Sequence, residues 1–393
     1  MKNKLKQLIP NKIKNFILSM FNGNYHFLFW FLPLSKDKIV ICNYYGKGYG
    51  DNGKYISEEI IKQGHTHDIV WLLDKELINK TQFPPRIRVA KYGSFRGLYE
   101  LATAKVWIDN CRKFFYPPKR NNQYYIQTWH GGIALKQVER DVVSKLDSYY
   151  INYAKRDSKM ADIFISNSTF CSDMYKSAFW YEKKILECGT PRCDNLVNES
   201  NKVKIKVRSY FNIDNDVQLL IYAPTFRADL NTKAYDIDFV RLIEVLEERF
   251  GGEWNILVRL HPNVSFKHNF MEYSSKIINA TNYDDMYELL AVCNILITDY
   301  SSTMFEFSFS YKPVLLYAND IDEYVKDRDF YFDIHSLPYP LATNNEQLFD
   351  LIVKLDNSVY LNNLKEFLAG LEVFEEGNAT AKVVELIEIL KNK

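Results

Sequence analysis

Past residue 36 the chain alternates short apolar runs with stretches of helical periodicity, the pattern of parallel βαβ units. In the first half the pattern predicts strands at Lys38–Tyr45, Asp68–Leu73, Arg86–Lys91, Lys105–Asp109, Tyr124–Trp129, Asp162–Ser166 and Lys184–Cys188. In the second half it predicts them at Gln218–Ala223, Asn255–Leu260, Ile277–Ala280, Asn294–Thr298 and Pro313–Tyr317. A polar stretch, Asn198–Lys206, separates the two series, and a helix over Val383–Leu390 closes the chain. The expected architecture is therefore α/β: two Rossmann-like parallel-sheet domains facing a cleft, over residues 36–200 and 201–375, with a C-terminal helix over 376–393.

Residues 1–35 read differently. Lys2, Lys4, Lys6, Lys12 and Lys14 precede and flank Ile13, Phe16, Ile17, Met20 and Phe21, which recur at helical spacing. Asn22, Gly23, Asn24 and His26 interrupt the apolar stretch and Pro33 ends it, so neither a membrane span nor a cleavable leader fits. A basic amphipathic helix lying in a membrane interface fits better, and a helix packed on the protein's own core is the alternative.

Composition adds little to this picture, and charge adds more. The 393 residues are 47% hydrophobic and 25% charged, as in ordinary soluble domains. Fifty basic residues face 49 acidic ones, a net +1, so no overall basic field marks a nucleic-acid binder. Five of the lysines lie in the first 34 residues, which hold no acid, and this leaves 45 basic against 49 acidic residues, or −4, in the body. The six cysteines (Cys42, Cys111, Cys171, Cys188, Cys193 and Cys293) form no CxxC pair and read as reduced thiols of a cytoplasmic protein.

In open parallel sheets ligands bind beyond the carboxyl ends of the strands, so the chemistry is sought there. His130 follows such an end and precedes Gly131 and Gly132, where bare backbone lets a substrate approach; this is a position for a general base, or for a histidine hydrogen-bonded between domains. Arg259 and His261, two apart on one strand, share a face and can hold an anion. Asp299, Tyr300, Ser301 and Ser302 end another strand before a helical run over Thr303–Phe309, which suggests a phosphate cradle, or plain capping by either serine. Gly48, Gly50 and Gly53 form a GxGxxG after the first strand, but nothing later supplies a hydride-transfer site. No Ser-His-Asp order, HExxH or strand-end Asp-x-Asp pair is present, so the sequence requires no metal or cofactor, and Arg227, Arg259, Lys312 and Arg328 are the cations on offer for phosphate.

With these residues in hand the chain resembles the CDP-glycerol glycerophosphotransferase family of teichoic-acid primases and polymerases, which are similar to two-domain GT-B enzymes. The resemblance covers roughly residues 38–340. It rests on Gly46-Lys47-x-Tyr49-x-Asp51, on Gln127-Thr128-Trp129-His130-Gly131 with Leu135-Lys136 and Asp141, and on Gly189-x-Pro191-Arg192-x-Asp194. It continues through Ala223-Pro224-Thr225-Phe226-Arg227, Arg259-x-His261, Asp285-Met286-x-Glu288, Ile297-Thr298-Asp299-Tyr300-Ser301-Ser302 and Arg328-x-Phe330-Tyr331-x-Asp333. The family's Trp-His-Gly-Thr-Pro-Leu-Lys is one residue longer here, Trp129-His130-Gly131-Gly132-Ile133-Ala134-Leu135-Lys136, and its Leu-Pro-Gly-Pro is Leu337-Pro338-Tyr339-Pro340.

The resemblance implies transfer of an alditol phosphate, sn-glycerol 3-phosphate first among them, from a CDP-linked donor to a hydroxyl of a lipid-linked glycan or polymer of the teichoic-acid or capsule type. It implies His130 and His261 as catalytic residues. Thr225, Arg227, Arg259, Asp285, Asp299, Ser301, Ser302 and Arg328 fall on the CDP-donor side, and Gly46, Lys47, Asp51, Gly131 and Lys136 on the acceptor side. Such an enzyme is peripheral, on the cytoplasmic face of the membrane. A CDP-ribitol enzyme, a sugar-nucleotide glycosyltransferase of the same fold and a non-catalytic membrane scaffold are the competing readings.

Overall fold

The structure, a computed structural model, describes residues 31–227, 235–260, 272–324 and 329–393. The predicted N-terminal helix, His261 and Arg328 lie outside the described residues. The chain forms two compact units. One takes residues up to Trp129, Arg156–Phe164 and Val383–Lys393; the other takes His130–Lys155 and Ile165–Lys382.

The first sheet contains β1 (Ser35–Cys42), β2 (Asp68–Leu73), β3 (Ile87–Lys91), β4 (Ala104–Asp109), β5 (Tyr124–Gln127), β6 (Ile163–Ser166) and β7 (Lys184–Glu187), in the order β3-β2-β1-β4-β5-β6-β7. The second contains β8 (Gln218–Tyr222), β9 (Trp254–Val258), β10 (Ile277–Asn279), β11 (Ile295–Thr298), β12 (Val314–Tyr317) and β13 (Leu341–Ala342), in the order β10-β9-β8-β11-β12-β13. Both therefore carry the Rossmann order, whose direction reverses between the first and fourth strands and opens a switch point there. The β1–β4 pairing is parallel, as is β8–β11.

Alternation along the strands builds the core of the second unit. On β8, Leu219 and Ile221 enter one buried cluster while Leu220 and Tyr222 enter another, and β12 divides Val314 and Leu316 from Leu315 and Tyr317 in the same way. A sheet covered on both faces needs continuous apolar runs, which is why these strands were legible. Ile133 and Leu135, just after His130, are buried in the first of those clusters. Near them Arg192 and Glu306, both almost fully buried, pair at 2.5 Å. Asp194 accepts from the amides of Ala379 and Thr380 at 3.0 and 2.9 Å and caps the helix Ala379–Lys391. In the first unit the far end of that helix is held by Glu388 on His67 and by Lys391 on Asp37.

Every predicted strand exists, with corrections at its ends. β1 stops at Cys42 rather than Tyr45 because Tyr44 and Tyr45 turn left-handed (φ 41° and 62°), and β5 stops at Gln127 because Trp129 does so too (φ 53°). The run after β11 is helical only over Thr303–Phe307 and then tightens into a 3-10 turn. β13, two residues long, carried no readable pattern. The three glycines of the apparent dinucleotide fingerprint part company. Gly53 lies in the helix Asp51–Lys62, where a Cβ would come within 2.6 Å of Ile41, whereas Gly48 and Gly50 face open space. The tight turn belongs to Gly46 (φ 91°), where a Cβ would press on the Asp74 amide at 2.8 Å.

Candidate active site

At the first switch point the residues after β1 meet those after β4. The Tyr44 amide donates to Asn110 Oδ1 at 2.9 Å, and the Tyr44 hydroxyl donates to the Asp51 carboxylate at 2.7 Å. Three non-glycine residues of this loop, Tyr44, Tyr45 and Asp51, hold positive φ, each at a cost of roughly 1–3 kcal/mol that the surrounding bonds must offset. Beneath them Asp109 is buried and its carboxyl is pushed up to about 6 by burial, against the pull of the Lys113 ammonium 2.6 Å away. Arg112, also buried, reaches Asp157 at 3.3 Å and the Ser158 hydroxyl at 2.6 Å, and lies 5.5 Å from the centre of the Trp129 ring.

Trp129 sets where His130 begins. Its amide donates to Gln127 Oε1 at 2.9 Å, and its carbonyl accepts from Asn52 Nδ2 at 3.1 Å. Gln127 is itself fixed, donating to the Cys111 carbonyl at 3.0 Å and to the Tyr125 hydroxyl at 2.8 Å. Held on both sides in the left-handed region, Trp129 turns the chain so that His130 is exposed while Thr128 is buried. Gly131 faces open space, whereas a Cβ on Gly132 would overlap the Asn167 amide, at 2.1 Å. The two glycines therefore serve different ends: Gly132 makes room for Asn167, and Gly131 leaves the ground beside His130 clear.

The second switch point repeats the first. The Thr225 amide, past β8, donates to Asp299 Oδ1 at 2.8 Å, just past β11, as Tyr44 does to Asn110. Asp299 also accepts from the Tyr300 amide at 2.6 Å and from Arg227 at 2.8 Å, so this buried acid orients the loop. Arg227 is buried and fully engaged: Nε and Nη2 on Asp320 at 2.6 and 3.1 Å, Nη2 also on Asp299, and Nη1 on the Thr225 carbonyl at 2.7 Å. These carboxylates, overcoming burial, hold its pKa above the ordinary arginine value. The rings of Tyr300 and Tyr324 stack at 3.7 Å beside it. The Ser301 hydroxyl accepts from the Thr303 amide at 3.3 Å, while Ser302, the N-cap residue, makes no side-chain cap bond. Asp285 caps the helix Met286–Val292, accepting from the amides of Tyr287 and Glu288.

Arg259, which follows β9, differs from Arg227. Nη1 donates to the carbonyls of Ala280 at 2.8 Å, Thr281 at 2.7 Å and Tyr283, and no carboxylate pairs with the guanidinium among the described residues. Burial pulls its pKa down, partly opposed by Asp285 and Asp284. Its backbone amide donates to the Tyr222 carbonyl at 2.8 Å, which ties it to the strand that leads into the Thr225 loop. A largely desolvated cation whose hydrogen-bond partners among the described residues are carbonyl dipoles is suited to an anionic ligand.

Of the expected acceptor residues, Gly46 makes a backbone turn, Lys47 is exposed and Asp51 opens its helix on Tyr44. Lys136 lies in the second unit: it bridges to Phe330, and its ammonium stands 5.2 Å over the Tyr324 ring. Sequence reasoning missed Asn52, Gln127, Asn110 and Asp320. Gln127 sits inside a recognised block and Asn52 directly follows another, but an amide side chain at a motif says nothing of the partner it holds. No cluster of metal-ligating side chains occurs among the described residues.

Two sheets of Rossmann order, each with polar side chains gathered at its switch point, define an α/β protein of the two-domain GT-B-like class. The family model of CDP-glycerol:poly(glycerophosphate) glycerophosphotransferases matches residues 24–389, and the chain belongs to that family. Teichoic acid poly(glycerol phosphate) polymerase of Bacillus spizizenii is 31% identical over 368 residues, covering 90% of this chain and 92% of that one. Teichoic acid glycerol-phosphate transferase of Staphylococcus aureus is 28% identical, covering 95% of this chain and 99% of that one. The chain spans 50% of the Staphylococcus epidermidis polymerase, to which it is 31% identical. The solved structure of the wall teichoic acid polymerase TagF superposes with a TM-score of 0.82 at 28% identity, over 97% of this chain and 96% of that one.

Proposed function

We propose that this enzyme transfers sn-glycerol 3-phosphate from CDP-glycerol to a hydroxyl of a lipid-linked glycan or teichoic-acid-type polymer, releasing CMP. The observation that carries this reading is Arg259: a half-buried guanidinium with no carboxylate partner among the described residues, beside the second switch point, is suited to a donor pyrophosphate. Family membership makes CDP-glycerol the first donor to test. Ribitol-phosphate polymerase and primase of Bacillus spizizenii are less similar, at 27% and 26% identity, which favours glycerol over ribitol.

In this reading the acceptor hydroxyl attacks the phosphorus that bears glycerol. The new P–O bond forms as the bond to CMP breaks, CMP leaves with the electron pair, and His130 takes the hydroxyl proton. Charge gathers on the departing CMP phosphate, where Arg259, the Ser301–Ser302 loop and His261 supply positive charge and hydrogen bonds. Among the described residues no helix is long and apolar enough to cross a membrane, and the basic segment over residues 1–35 is assigned to the cytoplasmic membrane surface, where the acceptor's lipid is anchored.

Purified enzyme incubated with a lipid-linked acceptor should release CMP from CDP-glycerol and add glycerol phosphate to the product by mass. Turnover of CDP-ribitol or of a UDP- or GDP-sugar in its place would overturn the donor assignment. No turnover of any donor would overturn the enzymatic reading itself.

A further inference from the structure

The balance of charge at the second switch point leads to Lys136. Arg227, Asp299 and Asp320 form one buried group of one cation and two carboxylates, net −1 before any ligand arrives. The donor nitrogens of Arg227 are already directed at those carboxylates and at the Thr225 carbonyl. Turning the guanidinium outward would leave Asp299 and Asp320 without their cation. Arg227 is therefore not the residue that neutralises a pyrophosphate at the Asp299–Ser302 loop. A dianion placed beside a net-negative group needs cations from elsewhere, and Arg259 is one.

Lys136 is placed to be another. Its ammonium lies 5.2 Å over the Tyr324 ring, Tyr324 stacks on Tyr300 with ring centres 3.7 Å apart and planes 7° from parallel, and Tyr300 stands between Asp299 and Ser301. The backbone leaves little freedom in that position: Gln137 donates to the Asp329 carbonyl at 2.9 Å, and Tyr331 donates to the Leu135 carbonyl at 2.8 Å. This pins Lys136 opposite Phe330. On each side of Lys136 a buried or bonded neighbour holds the segment, with Leu135 in the core of the same unit. The ammonium is thereby held one stacked ring away from Tyr300, the residue between Asp299 and Ser301 of the phosphate loop.

We infer that Lys136 binds the pyrophosphate of the donor, not the acceptor, and so does the work expected of Arg227. This rests on the CDP-donor reading given above. The test compares full-length wild type with Lys136→Met and Lys136→Arg, by calorimetric titration with CDP-glycerol and with CMP and by steady-state kinetics in the acceptor. Lys136→Met should weaken CDP-glycerol at least about tenfold, as expected for loss of one charge-assisted contact, and CMP distinctly less. The KM for acceptor should stay within about twofold, and Lys136→Arg should recover most of the donor affinity. Wild-type donor affinity in Lys136→Met with a raised acceptor KM would return Lys136 to the acceptor. Equal weakening of both nucleotides with a lowered melting temperature would make it structural. If wild type itself binds no CDP-glycerol, the functional reading fails and this inference with it; a failure confined to the variants leaves that reading standing.

Discussion

At the residue scale, His130 and the group around Arg227 make opposite demands. His130 is exposed, and the bonds made by the backbone of Trp129 fix where it begins. His130→Ala should leave the fold and CDP-glycerol affinity nearly unchanged and lower kcat by about 10²–10⁴-fold, read by donor titration beside CMP release. A loss of donor affinity with kcat retained would move the residue to phosphate binding. Arg227 is structural in its contacts. Asp299→Ala removes one carboxylate and the acceptor for the amides of Thr225 and Tyr300, and should cost about 3–5 kcal/mol in denaturant unfolding. Asp320→Ala should cost less, because its carboxylate is less deeply buried than that of Asp299, 11% exposed against 2%.

At the scale of elements, the segment from His130 to Lys136 is neither strand nor helix, yet Ile133 and Leu135 are buried and Gly132 touches Asn167. Gly132→Ala must displace the Asn167 side chain and should cost about 1–3 kcal/mol. Gly131→Ala meets nothing within 4 Å and should change stability by less than about 0.5 kcal/mol. If its kcat/KM falls while its melting temperature holds, the glycine is kept for substrate approach; unchanged kinetics would show that a methyl group there is harmless. Loop 44–46 and Trp129 make a related point: their left-handed backbone is invisible to periodicity, since tyrosine and tryptophan are ordinary strand residues. The pattern therefore ran the strands on through them.

For the whole molecule, Glu375 ties stability to pH. It is pushed up to about 8, first by burial, against the bond it accepts from the Thr190 amide at 3.0 Å. The folded state thus binds a proton that the unfolded chain has released above its ordinary carboxyl pKa, so the folded state holds more protons across that interval. Stability is full below the ordinary carboxyl range and falls as pH rises through about 8. Glu375→Gln should flatten the melting temperature between pH 5 and 9, and an unchanged slope would exclude Glu375 as its source. Removing residues 1–34 takes away five lysines and leaves a body of net charge −4. Recovery on anionic vesicles should drop, and the loss should shrink at high salt, given about 1 kcal/mol per basic residue near such a surface. Equal sedimentation of full and shortened chains would place that segment on the protein's own core.

The sequence by itself determined the alternation of strands and helices, the residues at the strand ends and the family, because doubly covered parallel strands must be continuous apolar runs and because the motif blocks are local. Only the tertiary structure decided what each motif residue touches. Arg227 and Arg259 look equivalent as letters, each just past a strand of the same sheet. One is held by two acids that lie 72 and 93 positions away, the other, among the described residues, by carbonyls. Lys136 stands six residues after His130, yet its partner across the bridge is Phe330. Pairings over such distances follow from strand order and from which groups burial forces together, and neither is written in the spacing of residues along the chain.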